Sequence, residues 1–311
     1  MPSCPCSFTV LVPFVRLEPM GATSQDSAKN ERLTSRENHW LKRFRAVLDG
    51  RAVSEGSTPA ALGLEGPHLV EEALRAGLRI EVLLVADSGE RHLAKLRKLL
   101  PARLRVLRTS DRLFAGIAPT ATPQGIAALA AAPAWTLEDL LGANPLVVGI
   151  AGLQDPGNVG AIVRTSEAFG ATGVIACRGA ADPLGPKALR ASAGSALRLP
   201  LLSGWPAERA FAELRSRGLR QCAASLSGDC APHDAGLAAP AALWIGSEGA
   251  GLPAEIERDA DVRVRIPIFP RVESLNAAAA AAVLLYEAAC QRHATERAPR
   301  QGVPREMPQR A

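Results

Sequence analysis

A glycine-rich turn in the final third of the chain has the residue types needed to hold a polar small molecule. An apolar strand ends near residue 245, and Gly246, Gly249 and Gly251 follow it. Glycines permit tight turns and leave backbone amide and carbonyl groups uncovered, so main-chain atoms can bind a polar ligand there. An Ile-Pro-Ile segment at 266–268 and a Glu-Ser-Leu-Asn segment at 273–276 then lead into an alanine-rich helix.

Five polar side chains around this turn and on an upstream helix are candidates for chemistry. Arg164 has apolar helical neighbours, so its guanidinium must reach a carboxylate, a substrate phosphate or solvent. If Arg164 meets Glu248 across the turn, it is oriented towards an anionic ligand. The other candidates also have structural alternatives: Asn158 could be only a helix cap, and Glu248 could only bind turn amides. Ser274 could cap the last helix, with Asn276 in its first turn.

Other common sites fit the sequence poorly. The three glycines do not form Gly-x-Gly-x-x-Gly, and they follow a late strand, which disfavours a dinucleotide site. The five histidines are scattered, and Cys4 and Cys6 lack the spacing of zinc ligands, so we predict no metal site. The sequence has no run of the roughly 20 apolar residues that a membrane span needs, so we predict no membrane association. The six cysteines favour buried thiols in a reducing cytoplasm.

Length and charge favour two domains with different partners. The 311-residue chain is 47% hydrophobic and has a formal net charge of +5. Residues 31–120 contain 16 Lys and Arg against 11 Asp and Glu. A basic segment joined to a nearly neutral one is typical of a polyanion-binding module beside a catalytic one, and an ordinary solvated surface is the alternative.

The elements that must position the candidates alternate between strands and helices. Alternation of this kind in the second half of the chain indicates a parallel, doubly wound sheet. Asn158 is predicted to cap a helix that runs through residue 169, and a last helix is predicted over 274–291. The predicted segments are a disordered extension over 1–30, a small α/β domain over 34–131, a linker over 132–145, an α/β domain over 146–293 and a disordered tail over 294–311.

Three segments of the sequence resemble the signature motifs of the SpoU (TrmH-like) RNA 2′-O-ribose methyltransferases, which belong to the SPOUT superfamily. They are residues 158–170, 243–252 and 266–287, and they occur in the order that the family has. Residues 34–130 resemble the small α/β RNA-binding domain of ribosomal-protein-like type that several members carry. The turn ending at Gly125 and the Leu-Glu-Gly element at 64–66 carry that second resemblance.

The resemblance implies a fold, a cofactor and a set of site residues. It implies a deep trefoil knot in the C-terminal domain, S-adenosyl-L-methionine held in that knot, and a homodimer. Gly246, Ile266 and Leu275 match the positions that contact the cofactor, largely through backbone groups. The catalytic and substrate-positioning places are matched by Asn158, Arg164, Glu248, Ser274 and Asn276.

The reaction implied by the resemblance is methyl transfer to a ribose 2′-hydroxyl of structured RNA, with ribosomal RNA favoured over transfer RNA. Arg164 would hold the adjacent phosphate and stabilise the developing alkoxide, because an arginine is a poor base in water. Glu248 would orient Arg164, while Ser274 and Asn276 would position the ribose or the sulfonium end. The alternatives are a non-catalytic RNA-binding protein with the same fold, a base-modifying methyltransferase of the same superfamily and a nucleotide-dependent oxidoreductase.

Overall fold

The computed structural model describes residues 31–51 and 61–297, which form two sheets with helices packed on both faces of each. The predicted extension over 1–30 lies outside the described residues. The last helix continues to Arg297, four residues into the predicted tail, and the rest of that tail is also outside the described residues.

The first sheet is mixed and has five strands. In the order β1-β4-β3-β5-β2, the last two strands, β5 and β2, pair antiparallel, and β5 also runs antiparallel to β3. The strands are β1 (Glu31–Arg32), β2 (Ala61–Glu65), β3 (Ile80–Ala86), β4 (Arg105–Thr109) and β5 (Ile126–Ala131). The helices of this region and of the join that follows are α1 (His39–Leu48), α2 (Pro67–Arg75), α3 (Glu90–Leu96), α4 (Asp111–Ala115) and α5 (Leu137–Leu140).

The second sheet has six strands, and all of its pairings are parallel. Its strands are β6 (Leu146–Ile150), β7 (Gly173–Ala176), β8 (Leu201–Ser203), β9 (Arg220–Ala224), β10 (Ala241–Ile245) and β11 (Val262–Val264). Its helices are α6 (Pro156–Ala168), α7 (Pro186–Ser192), α8 (Ala207–Ser216), α9 (Ala254–Asp259) and α10 (Ala277–Arg297). The strand order is β11-β9-β10-β6-β7-β8. β7 and β8 therefore lie on one side of β6, and the later strands β9, β10 and β11 lie on its other side. The predicted α/β class with a parallel C-terminal sheet is confirmed, while the trefoil knot stays a prediction.

The centre of the second sheet is buried on both faces. Every residue of β6 and of β10 is buried, as expected of parallel strands that helices cover on both sides. The indole of Trp244 lies against Gly149 in the neighbouring strand, where an added Cβ would come within 2.4 Å of the ring. Its Nε1 donates to Oε1 of the buried Gln221 at 2.8 Å, which satisfies both polar groups inside the core.

Two helix starts differ from the sequence prediction. The side chain of Asp155 caps α6 by accepting the amide of Asn158 at 3.1 Å, so the predicted Asn158 cap is wrong. The residue after Asp155 is a proline, and proline favours the first position of a helix. The cap is therefore the residue before that proline, Asp155. At α10, Oδ1 of Asn276 accepts two amides of the first turn at 3.0 and 3.2 Å, so the predicted cap by Ser274 is also wrong.

A single arginine links the first region to the helix that follows β6. Arg198 donates to both oxygens of Glu167 on α6 at 2.8 Å and also contacts the carboxylate of Glu72 on α2. The three side chains are roughly one-fifth to one-third exposed. Arg198 therefore ties the helix nearest the site to a helix of the N-terminal region.

Candidate active site

A cleft of about 340 Å³ lies at the carboxyl end of the parallel sheet. The segments after β9, β10 and β11 and the start of α10 form its walls. Open parallel sheets bind ligands at this edge, because successive loops leave the strands there and enclose a crevice. We call this cavity the main cleft.

The glycine turn forms one wall of the main cleft and is closed by main-chain hydrogen bonds. The amide of Ser247 donates to the carbonyl of Gly251 at 3.1 Å, and the reverse bond measures 3.0 Å. A Cβ on Gly246 would lie 2.2 Å from the carbonyl carbon of Gly251, so only glycine fits there. Gly251 has a φ of +70°, which side chains other than glycine rarely adopt.

The three residues predicted to contact a cofactor all line the main cleft. Gly246, Ile266 and Leu275 come from three different segments of the chain, namely the ends of β10 and β11 and the approach to α10. The predicted Ser274 also lines this cleft, although it does not cap the helix. The three residues therefore converge on one cavity, and their contact with a cofactor stays a prediction.

Three of the predicted polar residues meet in a hydrogen-bonded cluster. Nδ2 of Asn158, in the first turn of α6, donates to Oε1 of Glu248 in the glycine turn. Nδ2 of Asn276 donates to Oδ1 of Asn158 at 3.1 Å and lies 3.5 Å from the same Glu248 oxygen. We call these three residues the amide–carboxylate cluster. It joins the start of α6, the glycine turn after β10 and the start of α10, and it fixes the Glu248 carboxylate beside the cleft.

The start of α6 is held by its cap. Lys187 on α7 donates to Oδ1 of Asp155 at 2.9 Å. That bond, together with the amides of Gly157 and Asn158, keeps the pKa of Asp155 below its ordinary value. An ionised cap stabilises the N-terminus of the helix and fixes the position of Asn158.

Arg164 does not make the predicted contact with Glu248. In the described part of the chain it forms no hydrogen bond or ion pair, and it is exposed on α6 rather than on a buried face. Helical geometry explains this, because Val159, Ile162 and Val163 form the buried stripe and Arg164 is about 100° further around the helix. Its guanidinium therefore faces solvent and is free to meet a ligand.

Sequence reasoning missed a second polar group in the main cleft. Ser225 and Ser227 follow β9, and both hydroxyls bond to Glu257 on α9. Their position directly after a parallel strand was the available signal, because such positions reach the sheet edge where ligands bind. Within residues 31–51 and 61–297, no cluster of side chains could hold a metal ion, and no helix has the length and apolar character to cross a bilayer.

Comparison with protein families identifies both regions of the chain. Residues 145–286 match the model of the SpoU rRNA Methylase family, and residues 60–128 match that of an MRM3-like substrate binding domain. The chain is 32% identical over 224 residues to the 23S rRNA (guanosine(2553)-2′-O)-methyltransferase RlmP of Bacillus subtilis. That match covers 72% of this chain and 86% of the relative.

Solved structures give the same assignment. The SpoU methyltransferase AviRb from Streptomyces viridochromogenes, in complex with AdoMet, has a TM-score of 0.73 at 26% identity and covers 83% of this chain and 99% of its own. An AdoMet-bound rRNA methyltransferase from Sinorhizobium meliloti has a TM-score of 0.71 at 29% identity, covering 85% and 98%. The chain belongs to the SpoU rRNA methylase family.

Proposed function

We propose that this protein transfers the methyl group of S-adenosyl-L-methionine to a ribose 2′-hydroxyl of ribosomal RNA. The observation that carries the proposal is the main cleft, which has glycine main-chain walls and lies beside the amide–carboxylate cluster. Membership of the SpoU rRNA methylase family and the RlmP relative support this reaction and substrate class. A ribosomal RNA substrate would place the protein in the cytoplasm.

The main cleft fits the adenosine half of the cofactor. Gly246 leaves no room for a Cβ, and backbone groups of the turn line the cavity. Ile266 and Leu275 add apolar surface for a planar base. The cofactor supplies an activated methyl group on a sulfonium, and the chain supplies the pocket that orients it.

The exposed arginine has the properties of an RNA ligand. Arg164 has no protein partner in the described residues, so its planar fork is free to hold a phosphate in two hydrogen bonds. An arginine stays protonated at neutral pH and cannot itself remove the hydroxyl proton. We therefore assign Arg164 to the phosphate next to the attacked ribose, where it stabilises the developing alkoxide and lets the phosphate share in proton removal.

The amide–carboxylate cluster is assigned a positioning role. Glu248 is held by Asn158 and Asn276 and not by Arg164. These two contacts take the place of the expected arginine–glutamate contact. The cluster fixes the glycine turn against α6 and α10, and Ser274 lies beside it in the cleft wall. In-line attack requires the hydroxyl oxygen, the methyl carbon and the sulfur to be aligned, and a rigid turn supplies that alignment.

The N-terminal region and the surface of α10 indicate the partners. Residues 31–120 have an excess of basic side chains, and residues 60–128 match a substrate binding domain; both observations support RNA as the partner of this region. Val283 and Tyr286 are exposed on α10, and the ring of Tyr286 packs edge-on against that of Phe169, directly after α6, with ring centroids 5.7 Å apart. We propose that a second copy of the chain covers this apolar face in a homodimer.

Arg164→Ala tests the assignment. Methyl incorporation into ribosomal RNA should fall by about 100-fold, because one charged donor to the transition state is lost. Titration with S-adenosylhomocysteine should be unchanged, since Arg164 does not line the main cleft. Arg164→Lys keeps the charge but loses the planar fork and should recover part of the rate. Incorporation by Arg164→Ala at the wild-type rate would refute the role given to this residue.

A further inference from the structure

The second polar group of the main cleft consists of Ser225, Ser227 and Glu257. The Ser227 hydroxyl donates to Oε1 of Glu257 at 3.1 Å, the Ser225 hydroxyl bonds to the same oxygen, and the two hydroxyl oxygens are 3.0 Å apart. The other carboxylate oxygen, Oε2, accepts no hydrogen bond from any described residue. The serines therefore hold the carboxylate in place and leave one oxygen available to a ligand.

This group lies in the part of the main cleft that follows β9, away from Asn158 of the amide–carboxylate cluster. Ser225 follows β9 and Asn158 follows β6, and β10 separates these two strands. Neighbouring strands are about 4.8 Å apart, so the carboxyl ends of β9 and β6 are about 10 Å apart. A ligand that presents its reacting atoms to the amide–carboxylate cluster has its other end near Glu257.

An exposed apolar side chain marks the same end of the cleft. Leu226, between the two serines, lines the cavity and is 62% exposed. Covering a large, exposed apolar side chain with a flat apolar surface is favourable in free energy, because it removes apolar area from water. The end near Glu257 thus offers an apolar contact and a carboxylate oxygen side by side, which suits a nucleoside.

We infer that Glu257 binds the ribose hydroxyls of the adenosine half of the cofactor through Oε2. The inference rests on the proposed function, because it assigns one end of the same cleft. An acidic side chain at the carboxyl edge of a parallel sheet is a known way to accept a hydrogen bond from a nucleoside ribose. The two serines hold Glu257 in position for that bond.

The test compares Glu257→Gln with Glu255→Gln by calorimetry on the full-length protein. The glutamine amide oxygen can still accept from Ser225 and Ser227, while its NH₂ group replaces the free carboxylate oxygen. Glu255 is exposed on the same helix and does not line the cleft, so its substitution is the matched control. The probes are S-adenosylhomocysteine and its analogue that lacks both ribose hydroxyls.

Wild type and Glu255→Gln should bind S-adenosylhomocysteine about tenfold more tightly than the dideoxy analogue, the effect of one charged hydrogen bond. Glu257→Gln should bind both probes with the weaker affinity. If Glu257→Gln still discriminates between them tenfold, or binds S-adenosylhomocysteine as tightly as wild type, the inference is wrong and the proposed function stands. If wild type binds neither probe, both the inference and the proposed function fail.

Discussion

Adding a single methyl group at Gly246 should leave the protein folded but impair its function. In Gly246→Ala the new Cβ would lie 2.2 Å from the carbonyl carbon of Gly251 and 2.4 Å from the amide nitrogen of Leu252. Ordinary contacts begin at 3.4 Å, so the two strands of the turn must separate by about 1 Å. Overpacking of this kind costs about 1–3 kcal/mol of unfolding free energy.

The displaced turn carries the cleft wall and the Glu248 carboxylate, so the functional loss should exceed the loss of stability. A shift of about 1 Å in positioning groups can lower a rate by about 100-fold. We expect Gly246→Ala to bind S-adenosylhomocysteine at least about tenfold more weakly and to unfold at lower urea concentration.

Gly249→Ala is the matched control in the same turn. A Cβ at that position meets nothing within 4 Å, and the residue does not have a positive φ. This variant should keep the wild-type unfolding free energy or gain about 0.4–1 kcal/mol, because alanine reduces the entropy of the unfolded chain. Equal stability and equal cofactor affinity in wild type and Gly246→Ala would refute the packing argument.

Three further changes probe the elements around the cleft. Asn276→Ala should lower the unfolding free energy by about 1–2 kcal/mol through loss of the α10 cap; Asn276→Asp keeps the cap but lacks the donor to Asn158 and places a second carboxylate beside Glu248, so it should recover only part of the stability and no methyl transfer, and full activity would contradict this. Asp155 has a lowered pKa, so its cap stabilises the fold above its ordinary pKa of about 4 and is lost as pH falls through the folded value; urea unfolding of Asp155→Asn should match wild type at low pH and fall below it at pH 7, and a constant difference would count against the cap. Arg198→Ala leaves two carboxylates facing each other and should cost about 1–2 kcal/mol in urea unfolding, between the values for exposed and buried pairs; an unchanged midpoint would show that the contact is not stabilising.

Local patterns in the sequence predicted most of the elements that carry the site. The glycines after β10 and the apolar run of β10 itself were sufficient to locate the cleft wall. The choice of helix caps was wrong because Asp155 and Asn158, like Ser274 and Asn276, are both good capping residues close together. The proline after Asp155 could have decided the first case. The second depends on Ser274 entering the cleft wall, which only the three-dimensional structure reveals.

Tertiary features were beyond a local reading of the sequence. Arg164 was expected to be oriented by Glu248, whereas helical periodicity turns its side chain to solvent. The role of Glu257 depends on α9 packing beside the end of β9, a pairing of segments about 30 residues apart. The short elements β8 and α9 have too few residues for a periodic pattern and were missed.

The identity of the methylated atom decides between the proposed reaction and its rivals. Purified protein would be incubated with ribosomal RNA and S-adenosyl-L-methionine labelled in the methyl group, and the RNA would be digested to nucleosides. We predict that the label is found in a single 2′-O-methylnucleoside. Label on a base, or no transfer by protein that binds the cofactor, would contradict ribose methylation.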